Sequence, residues 1–154
     1  AGKTRISSTA VRQAVASGDM DLAARLLGRH HLVCGKVVHG DGRGRTLGVP
    51  TANLFTDGGM HPVSGVYAAW ATTEDGERHK AVVNVGVRPT FESSEALSVE
   101  AHLLDFDEDL YDQSLRLAMV RRIRSEIAFD GVDQLKAQIF RDLDEGRSIL
   151  TPAQ

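Results

Sequence analysis

Thr51 and Asn53 stand two apart at the end of GDGRGRTLGVPTANL, residues 40–54. In an extended segment both side chains point the same way. A hydroxyl and an amide oxygen side by side are hard neutral ligands. They suit Mg²⁺, which takes one or two protein oxygens and draws the rest from water and phosphates. The alternative is that both only bond backbone at a turn. Ahead of them, Gly40, Gly42, Gly44 and Gly48 let backbone N–H groups approach and cradle phosphate oxygens. Arg43 and Arg45 add charge that suits phosphate, and Pro50 fixes the entry of the chain. The spacing fits neither the P-loop, which needs Gly-Lys-Ser/Thr, nor the dinucleotide fingerprint, which must open a helix. A plain flexible hairpin loop is the other reading of the glycines.

A second candidate is Glu100. Along LSVEAHLL, Leu97, Val99, Ala101 and Leu103 share one face of a strand, and Ser98, Glu100 and His102 share the other. By pattern alone Glu100 is a carboxylate on a solvated strand face.

The elements that must position these groups fall into three parts. Residues 5–29 read as two short helices, with Ser or Thr and then Asp19 as caps and Gly18 and Gly28 as stops. Residues 31–124 hold strand-like runs, HLVCGKVV, GVYAAWATT, HKAVVNVGV, LSVEAHLL and SLRLAMVRRI, separated by Gly, Pro and Asp clusters. Asp75-Gly76 signals a hairpin turn. No helical pattern interleaves with the strands, so an antiparallel barrel or sandwich is expected rather than a parallel sheet. Residues 131–150 read as one amphipathic helix, with Val132, Leu135, Ile139 and Leu143 on the face turned to the barrel.

Composition sets the bounds. The chain has 154 residues, 42% hydrophobic and 25% charged, ordinary for a globular protein with its own core. A net charge of -3 and 5% aromatics argue against a nucleic-acid binder, which combines basic grooves with stacking rings. No apolar run approaches a membrane span, and no secretory signal is read at the start. Cys34 is the single cysteine, so a reducing cytoplasm is the expected setting.

The ordered set of motifs resembles the riboflavin kinases, including the C-terminal kinase module of the bacterial bifunctional riboflavin kinase/FAD synthetases. GDGRGRTLGVPTANL resembles the family signature, and PVSGVYAAW its Pro-x-x-Gly-Val-Tyr strand. NVGVRPTF resembles its Asn-x-Gly-x-x-Pro-Thr-Phe turn. VEAHLLDFDEDLY resembles the strand carrying its catalytic glutamate, and RIRSEIAFDGVDQL its Leu-Arg-x-Glu-x-x-Phe segment with the helix that follows. These lie in the family's order over residues 28–150.

The resemblance implies a mainly β fold: a six-stranded antiparallel Greek-key barrel, a C-terminal helix and two short N-terminal helices. It implies transfer of the ATP γ-phosphate to the 5′-hydroxyl of riboflavin, giving FMN and ADP. Gly42, Gly44, Arg45, Gly48, Pro50, Thr51 and Asn53 would bind ATP, with Mg²⁺ on Thr51 and Asn53. Glu100 would be the base that accepts the hydroxyl proton. Arg124 and Phe129 would lie near the flavin, with the segment between them acting as a lid. Their alternatives are a surface arginine in the run Arg121, Arg122, Arg124 and a core aromatic fixing the helix. Asn84, Arg88 and Phe91 are read as a structural turn, His102 as structural, and Cys34, Tyr67 and Trp70 as packed residues.

RISSTAVR resembles the segment that closes the adenylyltransferase half of the bifunctional enzymes. Residues 1–29 are therefore read as a helical remnant of that missing N-terminal module, loosely held or in contact with another chain. Residues 30–154 are read as the kinase barrel and its helix. FAD synthesis is not expected. A catalytically silent flavin- or nucleotide-binding module is the alternative function, with no nucleic-acid or membrane partner expected in either case.

Overall fold

The computed structural model describes residues 8–38, 51–56, 61–89, 95–106 and 108–151. Six strands follow two helices, α1 (Ser8–Ser17) and α2 (Met20–Leu27). They are β1 (His31–Val38), β2 (Ala52–Phe55), β3 (Gly65–Thr72), β4 (Arg78–Pro89), β5 (Glu95–Leu103) and β6 (Ser114–Arg124). A third helix, α3 (Val132–Leu150), closes the described chain. Every strand pairing is antiparallel, and the order β1-β2-β5-β4-β3-β6 closes into a barrel. The barrel implied by the resemblance is therefore the fold. Five strands coincide with the apolar runs of the sequence. The sixth, β2, is only four residues long and sits inside the loop motif, too short to show a period of its own.

Alternation fills the interior. Val83, Val99, Leu115, Leu117 and Met119 point inward and are at most 2% exposed. Ala69, Ala71 and Ala81 stand among them, the small-with-large filling that a narrow barrel needs. Tyr67 is the largest fully buried side chain, and its hydroxyl donates to the Val63 carbonyl at 2.5 Å. It is core, as expected. Trp70 is not. It lies on the outer side of β3, half-buried, with the Arg78 guanidinium 4.2 Å from its ring. Cys34 is also outside and exposed, because Val33 next to it takes the inward position. The Asp75-Gly76 turn does form the β3–β4 hairpin, with Gly76 at φ +87.

The N-terminal helices are not loosely held. Val11, Ala14, Val15, Met20, Ala23 and Leu26 belong to the same apolar cluster as the barrel interior. Asp19 caps α2 by accepting from the Leu22 N–H at 3.0 Å, and Gly28 ends it in the left-handed region at φ 74. Gly18, at φ +81, lets the turn between the helices approach the barrel. A Cβ there would stand 2.9 Å from Val63 Cγ1 and 3.1 Å from the Tyr67 hydroxyl.

The C-terminal helix forms where the apolar spacing put it, with Leu135, Ile139 and Leu143 half-buried on the docking side, but Val132 is not part of that face. Val132 is 64% exposed, and the residues of α3 closed off from solvent are Asp142, Gly146 and Leu150. The helix lies against β3, β4 and β6. Gly146 makes the close approach possible, since a Cβ there would meet Val82 Cγ2 at 2.5 Å. Val82 is β-branched and held in a strand, so it has little room to yield. We predict that Gly146→Ala lowers stability although alanine is the better helix former. Overpacking of about 1–3 kcal/mol outweighs a propensity gain of about 1 kcal/mol. Thermal melting should show a drop of a few degrees, and Val82→Ala in the same chain should restore it. A higher melting temperature for Gly146→Ala alone would contradict this seating of the helix.

Candidate active site

The site is built by register. β5 lies between β2 and β4, and Glu100 pairs with Asn53 on one side and with Asn84 on the other. Val99 and Ala101, the neighbours of Glu100 along the strand, are 2% and 1% exposed and face the core. Glu100 therefore faces outward, and directly paired residues share a face with Cβ atoms about 4.5–5.5 Å apart. Asn53, Glu100 and Asn84 thus form a polar row across three strands. Glu100 and Asn53 are half-buried, so Glu100 is not simply a solvated carboxylate. Thr51 is half-buried at the entry of β2, two residues before Asn53.

The row continues across the barrel. Asn84 pairs with Val66 of β3, and Val66 pairs with Arg124 at the end of β6. Arg124 is thus three strand spacings from Glu100, about 14 Å along the sheet at about 4.8 Å per strand. Asn84 and Arg88 both lie within β4, and the turn expected beside them falls outside the described residues. Asn84 is the residue that sequence reasoning undervalued. Its place beside Glu100 depends on the β4–β5 register, which no local pattern reveals.

Arg124 is no surface arginine. Its side chain is 17% exposed and that of Asp142, on α3, only 4%. Nε of Arg124 donates to both carboxylate oxygens at 3.0 Å, and Nη2 donates to Oδ2 at 2.8 Å. Nη1 donates to the Ser125 carbonyl at 3.0 Å. The guanidinium carbon stands 5.9 Å from the centre of the half-buried Phe129 ring. The other arginines of the run go elsewhere: Arg121 lies 3.7 Å from Asp21 of α2, and Arg122 donates to the Ser64 carbonyl at 2.6 Å.

Residues 125–131 connect β6 to α3 as a strap over the outer face. Glu126 reaches back over β4, where a Cβ on Gly86 would stand 2.5 Å from its Oε1. Gly86 pairs with Ser98, two residues along the strands from the Asn84–Glu100 pair and on the same face. The strap thus runs beside the polar row.

The remaining nucleotide-site expectations, Gly42, Gly44, Arg45, Gly48 and Pro50, lie outside the described residues, as does Phe91. Among the described residues no group of three or more His, Cys, Asp or Glu converges as a metal cage. The donors near Glu100 are instead a hydroxyl and an amide. Such a set fits a hard divalent cation that takes most of its ligands from phosphates and water. Chemically, the row offers two neutral oxygen donors, a carboxylate able to accept a proton, and a fixed cation with an aromatic ring at its far end.

Known proteins resemble this chain along most of its length. The family model Flavokinase, described as riboflavin kinase, matches residues 27–150. The bifunctional riboflavin kinase/FMN adenylyltransferase of Haemophilus influenzae is 41% identical over 144 residues, covering 94% of this chain and 46% of that protein. Its Escherichia coli K12 counterpart is 45% identical over 141 residues, covering 92% and 45%. The chain spans about half the length of the curated relatives it matches. A crystal structure described as a macrolide-efflux protein from Streptococcus pneumoniae superposes with a TM-score of 0.89 at 38% identity, covering 96% of this chain and 48% of that one. The riboflavin kinase of Trypanosoma brucei shares the fold, with a TM-score of 0.60 at 24% identity over 79% of this chain and 80% of that one.

Proposed function

The chain belongs to the riboflavin kinase family, and from that membership we propose that it transfers the γ-phosphate of ATP to the 5′-hydroxyl of riboflavin, giving FMN and ADP. The observation that carries the proposal is the row from Asn53 through Glu100 and Asn84 toward Arg124. In this reading the carboxylate and oxygen donors at one end serve as base and metal ligands, and the Arg124–Phe129 corner at the other serves the flavin. Riboflavin has the matching shape, a flat ring system with a primary hydroxyl at the far end of a ribityl chain.

Phosphoryl transfer asks mostly for positioning and charge neutralisation. The family uses ATP with a divalent metal. Here Mg²⁺ is the metal that Thr51 and Asn53 would hold, and when bound it neutralises charge on the transferred phosphoryl group. By the family resemblance Gly42, Gly44, Arg45, Gly48 and Pro50 would supply backbone N–H groups and one guanidinium for the phosphates. Glu100 accepts the proton of the 5′-hydroxyl as the new O–P bond forms, while the bond to the β-phosphate oxygen breaks and ADP departs. The proton then passes from the carboxyl to solvent. Arg124 and Phe129 hold the flavin end. The single exposed thiol, Cys34, suits a reducing, cytoplasmic setting.

Residues 1–29 are assigned to the close of an adenylyltransferase module, on the strength of the RISSTAVR motif and the bifunctional relatives. In the 154-residue chain these helices serve the kinase barrel as part of its core.

Two outcomes test this reading. Incubated with riboflavin, ATP and Mg²⁺, the 154-residue chain should yield FMN and no FAD on chromatography of the flavins. Flavin retained unchanged would favour a silent binding module, and FAD made from FMN and ATP would overturn the assignment of residues 1–29. Thr51→Ala should weaken activity at limiting Mg²⁺ by about ten- to a hundredfold while the barrel stays folded. Wild-type activity at limiting Mg²⁺ would return Thr51 to a turn-forming role.

A further inference from the structure

Asp142 has no part in the chemistry above, yet it is one of the few charged groups closed off from solvent. Its residue is 3% exposed, in the middle of α3. Replacing a buried ion pair as a whole with apolar residues is often neutral or stabilising, although removing one partner alone is costly. Stability alone therefore gives a weak reason for a buried Asp at this position. Geometry gives a better one.

The carboxylate uses both oxygens. Oδ1 accepts from Arg124 Nε at 3.0 Å and from Gln138 Nε2 at 2.9 Å. Oδ2 accepts from Arg124 Nε at 3.0 Å and Nη2 at 2.8 Å. The third nitrogen, Nη1, is held by the Ser125 carbonyl. The orientation of the guanidinium is thereby fixed at all three nitrogens, and its planar faces stand open to a further contact. Phe129 stands toward one of them at 5.9 Å. Arg124 and Phe129 bracket the strap, and Glu126 between them lies close over Gly86. Asp142 itself is in turn held by the close seating of Gly146, one turn along α3, on Val82.

We propose that Asp142 is a positioning residue for the flavin: through its bidentate grip on Arg124 it sets the strap 125–131 and the Phe129 ring in the place where riboflavin binds. Gln138 supports it by occupying the remaining carboxylate lone pair. The inference rests on the reading of Arg124 and Phe129 as flavin-facing. It adds that the helix, through one buried carboxylate, determines riboflavin affinity and leaves the phosphate end alone. A bidentate pair is the suitable device, because it fixes the angle of the guanidinium as well as its distance.

The test separates the two substrates. Asp142→Asn keeps the shape and removes the charge that orients the fork. Its KM for riboflavin should rise by about ten- to a hundredfold, as a small misplacement of a binding group does. Its KM for MgATP and its kcat should stay within about twofold. Amide hydrogen exchange at residues 125–131 should speed up while the barrel strands keep their protection. Gln138→Ala leaves the ion pair intact and carries the test should Asp142→Asn fail to fold. It should raise only the riboflavin KM, by about threefold, less than a whole hydrogen bond to a charged group is worth, because the ion pair remains. A folded variant whose constants all stay at wild-type values, or all change together, would overturn the proposal and leave Asp142 a structural residue. A wild-type chain that makes no FMN would instead overturn the kinase reading, so the two failures are distinct.

Discussion

The register of β5 between its two neighbours is the constraint on which the site depends. A strand has a side-chain period of two, so a slip by one residue would exchange its faces. Glu100 would then enter the barrel, and Val99 and Ala101 would face water. An ionised carboxylate inside an apolar core costs several kcal/mol, and the exposed apolar groups would forfeit their burial as well. Val99 and Ala101, with Leu103 at 5% exposure, therefore fix where the carboxylate points. The same register sets Asn53 and Asn84 on either side of it. The barrel's packing and the site's geometry are thus one requirement, not two.

A second layer is added from outside. Val66 and Val82 face outward from β3 and β4 yet are buried, because α3 lies over that side of the barrel. The helix needs Gly146 to come close and presents Asp142 to Arg124. The strap between β6 and α3 is short, so its course is dictated by where the helix sits. An apolar residue at Asp142 alone would leave Arg124 buried without its partner, and in the proposed reading the strap also needs a directed anion there. Closure of the barrel at β1 and β6 leaves the outer surface free for this layered arrangement, since no strand edge needs separate cover.

Much of this was legible in the sequence, and what was not has identifiable causes. The outward position of Glu100 follows from alternation in LSVEAHLL, and the helices end at the glycines that permit positive φ, Gly18 and Gly28. The family motifs led to a six-stranded barrel, including a strand as short as β2. Alternation was misjudged at Trp70 and Cys34, where residue type suggested burial but the position in the pleat faces outward. In α3 the apolar spacing holds at Leu135, Ile139 and Leu143, which are half-buried, but Val132 is exposed, and the deepest burial comes at Asp142, Gly146 and Leu150, which that spacing does not mark. Asn84 and Asp142 were invisible locally. One acquires its meaning from a pairing sixteen residues along the chain, and the other from an arginine eighteen residues away, as seen in the Arg124 pair.

The central claim is that Glu100, held by this register, accepts the proton of the attacking hydroxyl. Glu100→Gln keeps the side chain's size and removes the charge. Single-turnover formation of FMN, started with riboflavin and MgATP already bound, measures the chemical step directly, with thermal melting as the control for folding. The account predicts a rate constant lower by about 10²–10⁴, or roughly 3–5 kcal/mol on the barrier, with little change in the binding of either substrate. A near-normal rate constant in a well-folded variant would contradict it and remove Glu100 from the proton transfer.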